Sequence, residues 1–156
     1  MINSYQETIV APATTPGTGA ISIIRISGPE SFRVTDAVVK LKSGTVSGAN
    51  AYTIHFGEVL LDGKLLDQVL VSVFRAPHSY TGEDSVEIST HASAYIITEL
   101  IGLLLKAGAR FAQPGEFARR AFLNGKMDLA QAEAVADVIS AGSEAAHRVA
   151  FNQLRG

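Results

Sequence analysis

Cysteine is absent from the 156-residue sequence. Without thiols, disulfides, thiolate zinc sites and a cysteine nucleophile are excluded, and a reducing compartment fits. Concentrated charge is missing too: acids and bases are interspersed, no run of five like charges occurs, and the formal net charge is -2. This leaves no electrostatic footprint for nucleic acid or an anionic membrane, so this stretch is not expected to grip either directly. The opening "MINSYQETIV" has neither a positive flank nor an apolar core of the signal-peptide kind, and the longest helical apolar run, "YIITELIGLLL", is short and carries Glu99. A soluble cytoplasmic protein with no membrane partner is expected. Internal repeats and low-complexity segments are also lacking. No Walker A motif is present, because "NGKM" lacks a Ser or Thr after its lysine and a glycine five residues before Gly125. Hydrolysis of a nucleoside triphosphate by this chain is therefore not expected.

What is there is apolar: 47% of residues are hydrophobic, enough at this length for one domain with a real core. The runs "QETIVAPAT" and "GAISIIRISG" predict strands, joined by a glycine loop around "PGTG" at residues 16 to 19. "FRVTDAVVKL" predicts a short helix with Ser31 as its N-cap. Two apolar runs about Asp62-Gly63 predict a hairpin with a type I′ turn. "DSVEIST" predicts a strand, "SAYIITELIGLLLKAG" a helix ended by Gly108, and "ARFAQ" a short strand. From Asp128, Leu129, Ala132, Ala136 and Ile139 recur at helical spacing, and Asp128 with Gln131 suggests a capping box. That helical pattern continues past Gly142, through Ala146 and Ala150, to the last residue, which suggests a cut chain with an exposed seam. The class expected is α+β, a mostly antiparallel sheet with packed helices followed by a C-terminal helix.

Several residues could carry chemistry. Arg25 sits in "ISIIRIS", a strand apolar on both faces, and so needs either a carboxylate partner or an anionic or acceptor-rich ligand. Glu87 in "SVEIS" points opposite to Val86 and Ile88; the local pattern favours a solvated glutamate, but beside a pocket its two oxygens would suit paired N–H donors. Glu83, Asp84 and Glu87 could form an acid and base pair, although solvated or capping roles fit them better. His55, His78, His91 and His147 show no helical metal-ligand spacing and read as structural, so no metal is expected. In "PGEFARRAFLNGKMD" the Pro114-Gly115 pair breaks the chain, Glu116 opens a short helix and Asn124-Gly125 ends it. Arg119, Arg120 and Lys126 crowd that end, where they either complement the helix dipole or hold an anion.

"PGEFARRAFLNGKMDLAQAEAVADVI" closely resembles the segment that joins the N-terminal and helical domains of the MnmE/TrmE family of tRNA-modification GTPases. "ETIVAPATTPGTGAISIIRISGP" and "PHSYTGEDSVEISTH" are similar to two further stretches of that family, so the resemblance spans nearly the whole chain. It implies that residues 1–119 form a folate-binding and dimerisation domain, similar in fold to the tetrahydrofolate domain of glycine-cleavage T protein, and that residues 120–156 begin the helical domain. The chain would then be an N-terminal fragment, with the family's GTPase domain, and the GTP, potassium and magnesium it uses, lying outside it.

By motif, the family's 5-formyltetrahydrofolate ligands correspond to Arg25, Glu87 and Lys126. The resemblance further implies a homodimer that works on tRNA with the FAD-dependent partner MnmG, taking one carbon from methylenetetrahydrofolate for the wobble uridine. This chain would hold folate without turning it over and contribute no catalytic residue. Two positions depart from the family pattern: His91-Ala92-Ser93 replaces a His-Gly-Gly, and Thr18 stands where arginine is frequent. A dimerisation and docking domain with a vestigial folate pocket is the competing reading. A free-standing one-carbon transferase would need an acid or base and a second pocket that the sequence does not show.

Overall fold

The computed structural model describes residues 7–14 and 19–134, and their architecture is α+β. Strands β1 (Ile9–Pro12), β2 (Ile21–Ser27), β3 (Val39–Leu41), β4 (Thr53–Leu61), β5 (Lys64–Phe74), β6 (Ser85–His91) and β7 (Arg110–Phe111) form one sheet in the order β3-β4-β5-β6-β2-β1-β7. Every neighbouring pair is antiparallel except β1 with β7. Helices α1 (Ser31–Val38) and α2 (Ala94–Lys106) pack on one face of this sheet. Period-two alternation explains that face: Ile24 and Ile26 of β2, Val69, Val71 and Val73 of β5, and Val86 and Ile88 of β6 are buried against Phe32 and Val34 of α1 and Leu100 and Leu104 of α2. Burying each such side chain is worth about 1.5–3 kcal/mol, so this layer holds the sheet flat against its helices.

Most of the expected elements form. Asp62 and Gly63, at φ 52 and 79, make the two-residue hairpin turn, because a type I′ turn needs positive φ at both positions. Ser93 caps α2 by accepting the Ile96 N–H at 3.3 Å, and Gly108 follows the helix at φ 123. Helix α3 (Glu116–Leu123) ends in a Schellman motif, with the Lys126 N–H donated to Ala121 O at 2.8 Å and the Gly125 N–H to Phe122 O at 3.0 Å. The capping box at Asp128 is reciprocal: Asp128 Oδ1 accepts the Gln131 N–H at 2.7 Å, and Gln131 Oε1 accepts the Asp128 N–H at 2.9 Å. Residues 129–134 are helical; the rest of that seam, including Ala136, Ile139, Ala146 and Ala150, lies outside the described residues, as does His147.

Two local expectations are corrected. The helix expected across residues 32–41 stops at Val38, and Val39–Leu41 pair with β4 instead. Gly57 makes this possible, since a Cβ there would lie 2.8 Å from Val39 Cγ1. Ser31 is not the N-cap of α1; Glu30 holds that place without a side-chain bond, and the buried Ser31 hydroxyl donates to Asp84 O at 2.9 Å. The predicted glycine loop falls largely on residues 15–18, outside the described residues, and so does Thr18.

Candidate functional site

The register of β2 against β6 places Arg25 directly opposite Glu87, on the sheet face away from α1 and α2. Arg25 Nε and Nη2 both donate to Glu87 Oε2, each at 3.4 Å. The two side chains are 24% and 25% exposed, so the pair is only half-buried. Of the two readings of Arg25, the carboxylate partner is the one observed, through a contact that is long and partly exposed. Glu87 is not a freely solvated glutamate. Above the guanidinium lie two aromatic rings, Tyr80 at 4.9 Å and Phe117 of α3 at 5.4 Å from its carbon centre, an arrangement that attracts the cation to the ring faces.

Lys126 shares a cleft with the same Tyr80. It follows α3 through the Schellman motif and lines an open cleft of about 310 Å³ with Tyr52, Phe74, His78, Ser79 and Tyr80. Tyr80 therefore belongs both to the Arg25 pair and to the Lys126 cleft. The segment that carries it is pinned to the end of α3, where Asn124 Nδ2 donates to Thr81 O at 2.9 Å. Gly82, at φ 80, permits that approach, because a Cβ there would lie 2.8 Å from Asn124 Cβ.

Against known families, the model described as "GTP-binding protein TrmE N-terminus" matches residues 8–126. The chain belongs to this TrmE N-terminal family. It is similar to the tRNA modification GTPase MnmE of Flavobacterium johnsoniae, 54% identical over all of this chain and 33% of that protein. The namesake proteins of Cytophaga hutchinsonii and Bacteroides fragilis are 51% and 55% identical over 99% and 97% of this chain. The chain spans about a third of the length of the curated relatives it matches, 33% in each of these cases.

In this TrmE N-terminal chain the cation cluster at the end of α3 divides. Arg119 and Lys126 are exposed, whereas Arg120 is 1% exposed and turns inward. Arg120 Nη1 bonds both Glu83 oxygens at 3.1 and 3.2 Å, and Nη2 meets Glu116 Oε2 at 3.2 Å. Glu116 in turn takes Arg110 Nη1 at 2.8 Å and Nη2 at 2.6 Å, and Arg110 Nε reaches Glu7 at 2.9 Å. Glu83 also accepts from Ser27 Oγ at 2.8 Å. This ladder of alternating charges fastens α3 to β7, β2 and the 75–84 segment, and so holds Phe117 over Arg25. Burial tends to raise the Glu116 pKa, but the bonds from Arg110 and the Gln113 N–H, with the charges of Arg110 and Arg120, lower it from 4.5 to about 2.

Glu83, Asp84 and Glu87, weighed as an acid and base pair, have separate partners: Glu83 belongs to the ladder, Asp84 Oδ1 accepts the Ala76 N–H at 2.8 Å, and Glu87 meets Arg25. His55 bonds Thr53 Oγ1 at 2.7 Å, and His91 Nδ1 meets Asp67 at 2.8 Å. No group of three or more His, Cys, Asp or Glu among the described residues could hold a metal ion, and no described helix is long and apolar enough to cross a membrane. The two departures from the family pattern now separate: Ser93 serves as the α2 N-cap, while Thr18 lies outside the described residues. Tyr52, Phe74, Tyr80 and Phe117 escaped the sequence reading. The one available signal was an aromatic residue held between the turn formers of "PHSYTGED".

Proposed function

We propose that this chain is the folate-holding module of a tRNA-modification GTPase, with Arg25, Glu87 and Lys126 as the ligands of a tetrahydrofolate one-carbon donor. The observation that carries this reading is the half-buried, aromatic-framed Arg25–Glu87 pair beside the Lys126 cleft. The donor set fits: among the described residues Glu87 is engaged only through Oε2 and Arg25 only through Nε and Nη2, which leaves Glu87 Oε1 and Arg25 Nη1 for a ligand. Glu87 would accept the paired N–H groups of a pterin edge, and Arg25 and Lys126 would meet its oxo group or the tail carboxylates. The folate supplies the one carbon; this chain binds and orients it. We divide the sequence into residues 1–119, which bind folate and dimerise, and 120–156, which open a helical domain. Helix α3 spans that division, so the ladder at Arg120 would also couple the two domains.

Within the whole protein this module would act with the FAD-dependent partner MnmG to form 5-(carboxymethyl)aminomethyluridine at the tRNA wobble position. GTP, potassium and magnesium would act through a GTPase domain outside this chain. The dimerisation and docking reading, with a vestigial pocket, draws on a different observation. Ile54, Phe56 and Leu60 of β4 are exposed beside Leu65 and Leu70 of β5, because the bulge at Val59/Leu60 sets Leu65 opposite Leu60 and the register sets Leu70 opposite Phe56. Such a face suits a second copy of the chain.

Isothermal titration with 5-formyltetrahydrofolate tests the proposal, with Arg25→Ala beside the natural sequence. Saturable binding that is lost in the variant is the expected result. A folded dimer with no heat of binding would favour the docking reading.

A further inference from the structure

Tyr52 carries a backbone cost that its burial does not offset. It stands at φ 61, the left-handed region, which an aromatic residue occupies at a cost of about 1 kcal/mol or more and glycine occupies freely. The Tyr52 N–H is fixed to Val73 O at 2.8 Å, so the conformation is locked to the β5 strand. The residue is 66% exposed, so little burial sets against the strain. What the conformation achieves is placement. The ring stands edge-on to Phe74, at 6.1 Å and 86°, and tilted to His78 at 6.5 Å, and these residues together wall the cleft that Lys126 and Tyr80 complete.

We infer that Tyr52 is a ligand-positioning residue, held in its strained conformation so that its ring stacks on the aryl group of a ligand whose carboxylate is met by Lys126. This rests on the folate reading above and deepens it. Arg25 and Glu87 offer a donor and an acceptor side by side, which suits the hydrogen-bonding edge of a fused ring system. The neighbouring cleft offers aromatic faces and one ammonium but no carboxylate, which suits an aryl ring bearing an anionic tail. Tyr80, shared by the two, fixes their spacing.

The test titrates 5-formyltetrahydrofolate into the 156-residue chain and into its Tyr52→Phe, Tyr52→Ala, Tyr52→Gly and Arg25→Ala variants, with a thermal melt of each. Tyr52→Phe is expected to bind within about twofold of the natural chain, and Tyr52→Ala and Tyr52→Gly to lose about tenfold or more, as stacking contacts do. Tyr52→Gly is also expected to melt higher, since glycine relieves the strain. A gain in stability joined to a loss of affinity is a result that a merely structural tyrosine would not give. If Arg25→Ala loses binding while Tyr52→Ala stays within twofold, the inference fails and the folate reading stands. A lower melting temperature for Tyr52→Gly also overturns it, because the ring would then be supporting the fold. No saturable binding to the natural chain overturns both.

Discussion

Replacing Glu116 by glutamine keeps the shape of the side chain and removes one charge from the centre of the ladder. Glu116 is 2% exposed and binds Arg110 twice, Arg120 once and the Gln113 N–H. The magnitude follows from its lowered pKa. Between 4.5 and about 2, at about 1.4 kcal/mol for each pH unit, the folded state gains on the order of 3 kcal/mol from the ionised form. The sign is that of a depressed carboxyl group: the contribution is complete above about pH 4.5 and is lost as pH falls toward 2. Glu116→Gln is therefore expected to lose about 3 kcal/mol at pH 7, a large part of the 5–15 kcal/mol typical of a domain. In urea, with a slope of about 2 kcal/mol per M, the midpoint moves down by about 1.5 M. Repeating the melts between pH 5 and pH 2.5 should narrow the gap between the two proteins, since the carboxyl group of the unfolded chain, with its ordinary pKa of 4.5, takes up its proton first. A loss below about 1 kcal/mol at pH 7, or a gap that does not narrow in acid, would refute the view that the ladder stabilises the fold through this charge.

Three further outcomes are expected. Glu87→Ala should weaken 5-formyltetrahydrofolate binding by about 1.5–3 kcal/mol in calorimetry, as loss of charge-assisted hydrogen bonds does, and an unchanged affinity would remove Glu87 from the site. Gly82→Ala combines a φ of 80 with a Cβ placed 2.8 Å from Asn124, so it should cost about 1–3 kcal/mol in denaturant and also lower folate affinity by displacing the Lys126 turn. Asp128→Ala breaks the capping box and should cost about 1 kcal/mol, read by circular dichroism as earlier loss of helix on heating; an unshifted melt would show that the helix from residue 129 does not depend on its cap.

Local instructions in this chain act independently of distant ones. The Asp62-Gly63 turn, the Schellman end of α3 and the Asp128 capping box depend on residues within about five positions of one another, and each is present as the residue types require. The alternation of β2 likewise showed that Arg25 points away from Ile24 and Ile26. Sequence by itself also carried the family, because the motifs from "ETIVA" to "NGKMDLAQ" recur as units. Which charges meet was decided only in three dimensions. Arg25 and Glu87 are 62 positions apart, and Arg120 and Glu83 are 37 apart; their pairing follows from strand register and from where α3 docks. For the same reason Arg120, in sequence one of three cations crowding the end of α3, is the most enclosed of them. Val39–Leu41 turned from helix to strand because an edge of β4 with a glycine at position 57 was waiting for them. Local propensity is set by neighbours along the chain, whereas burial and charge pairing are set by neighbours in space, and only the assembled sheet and its docked helices bring the second kind together.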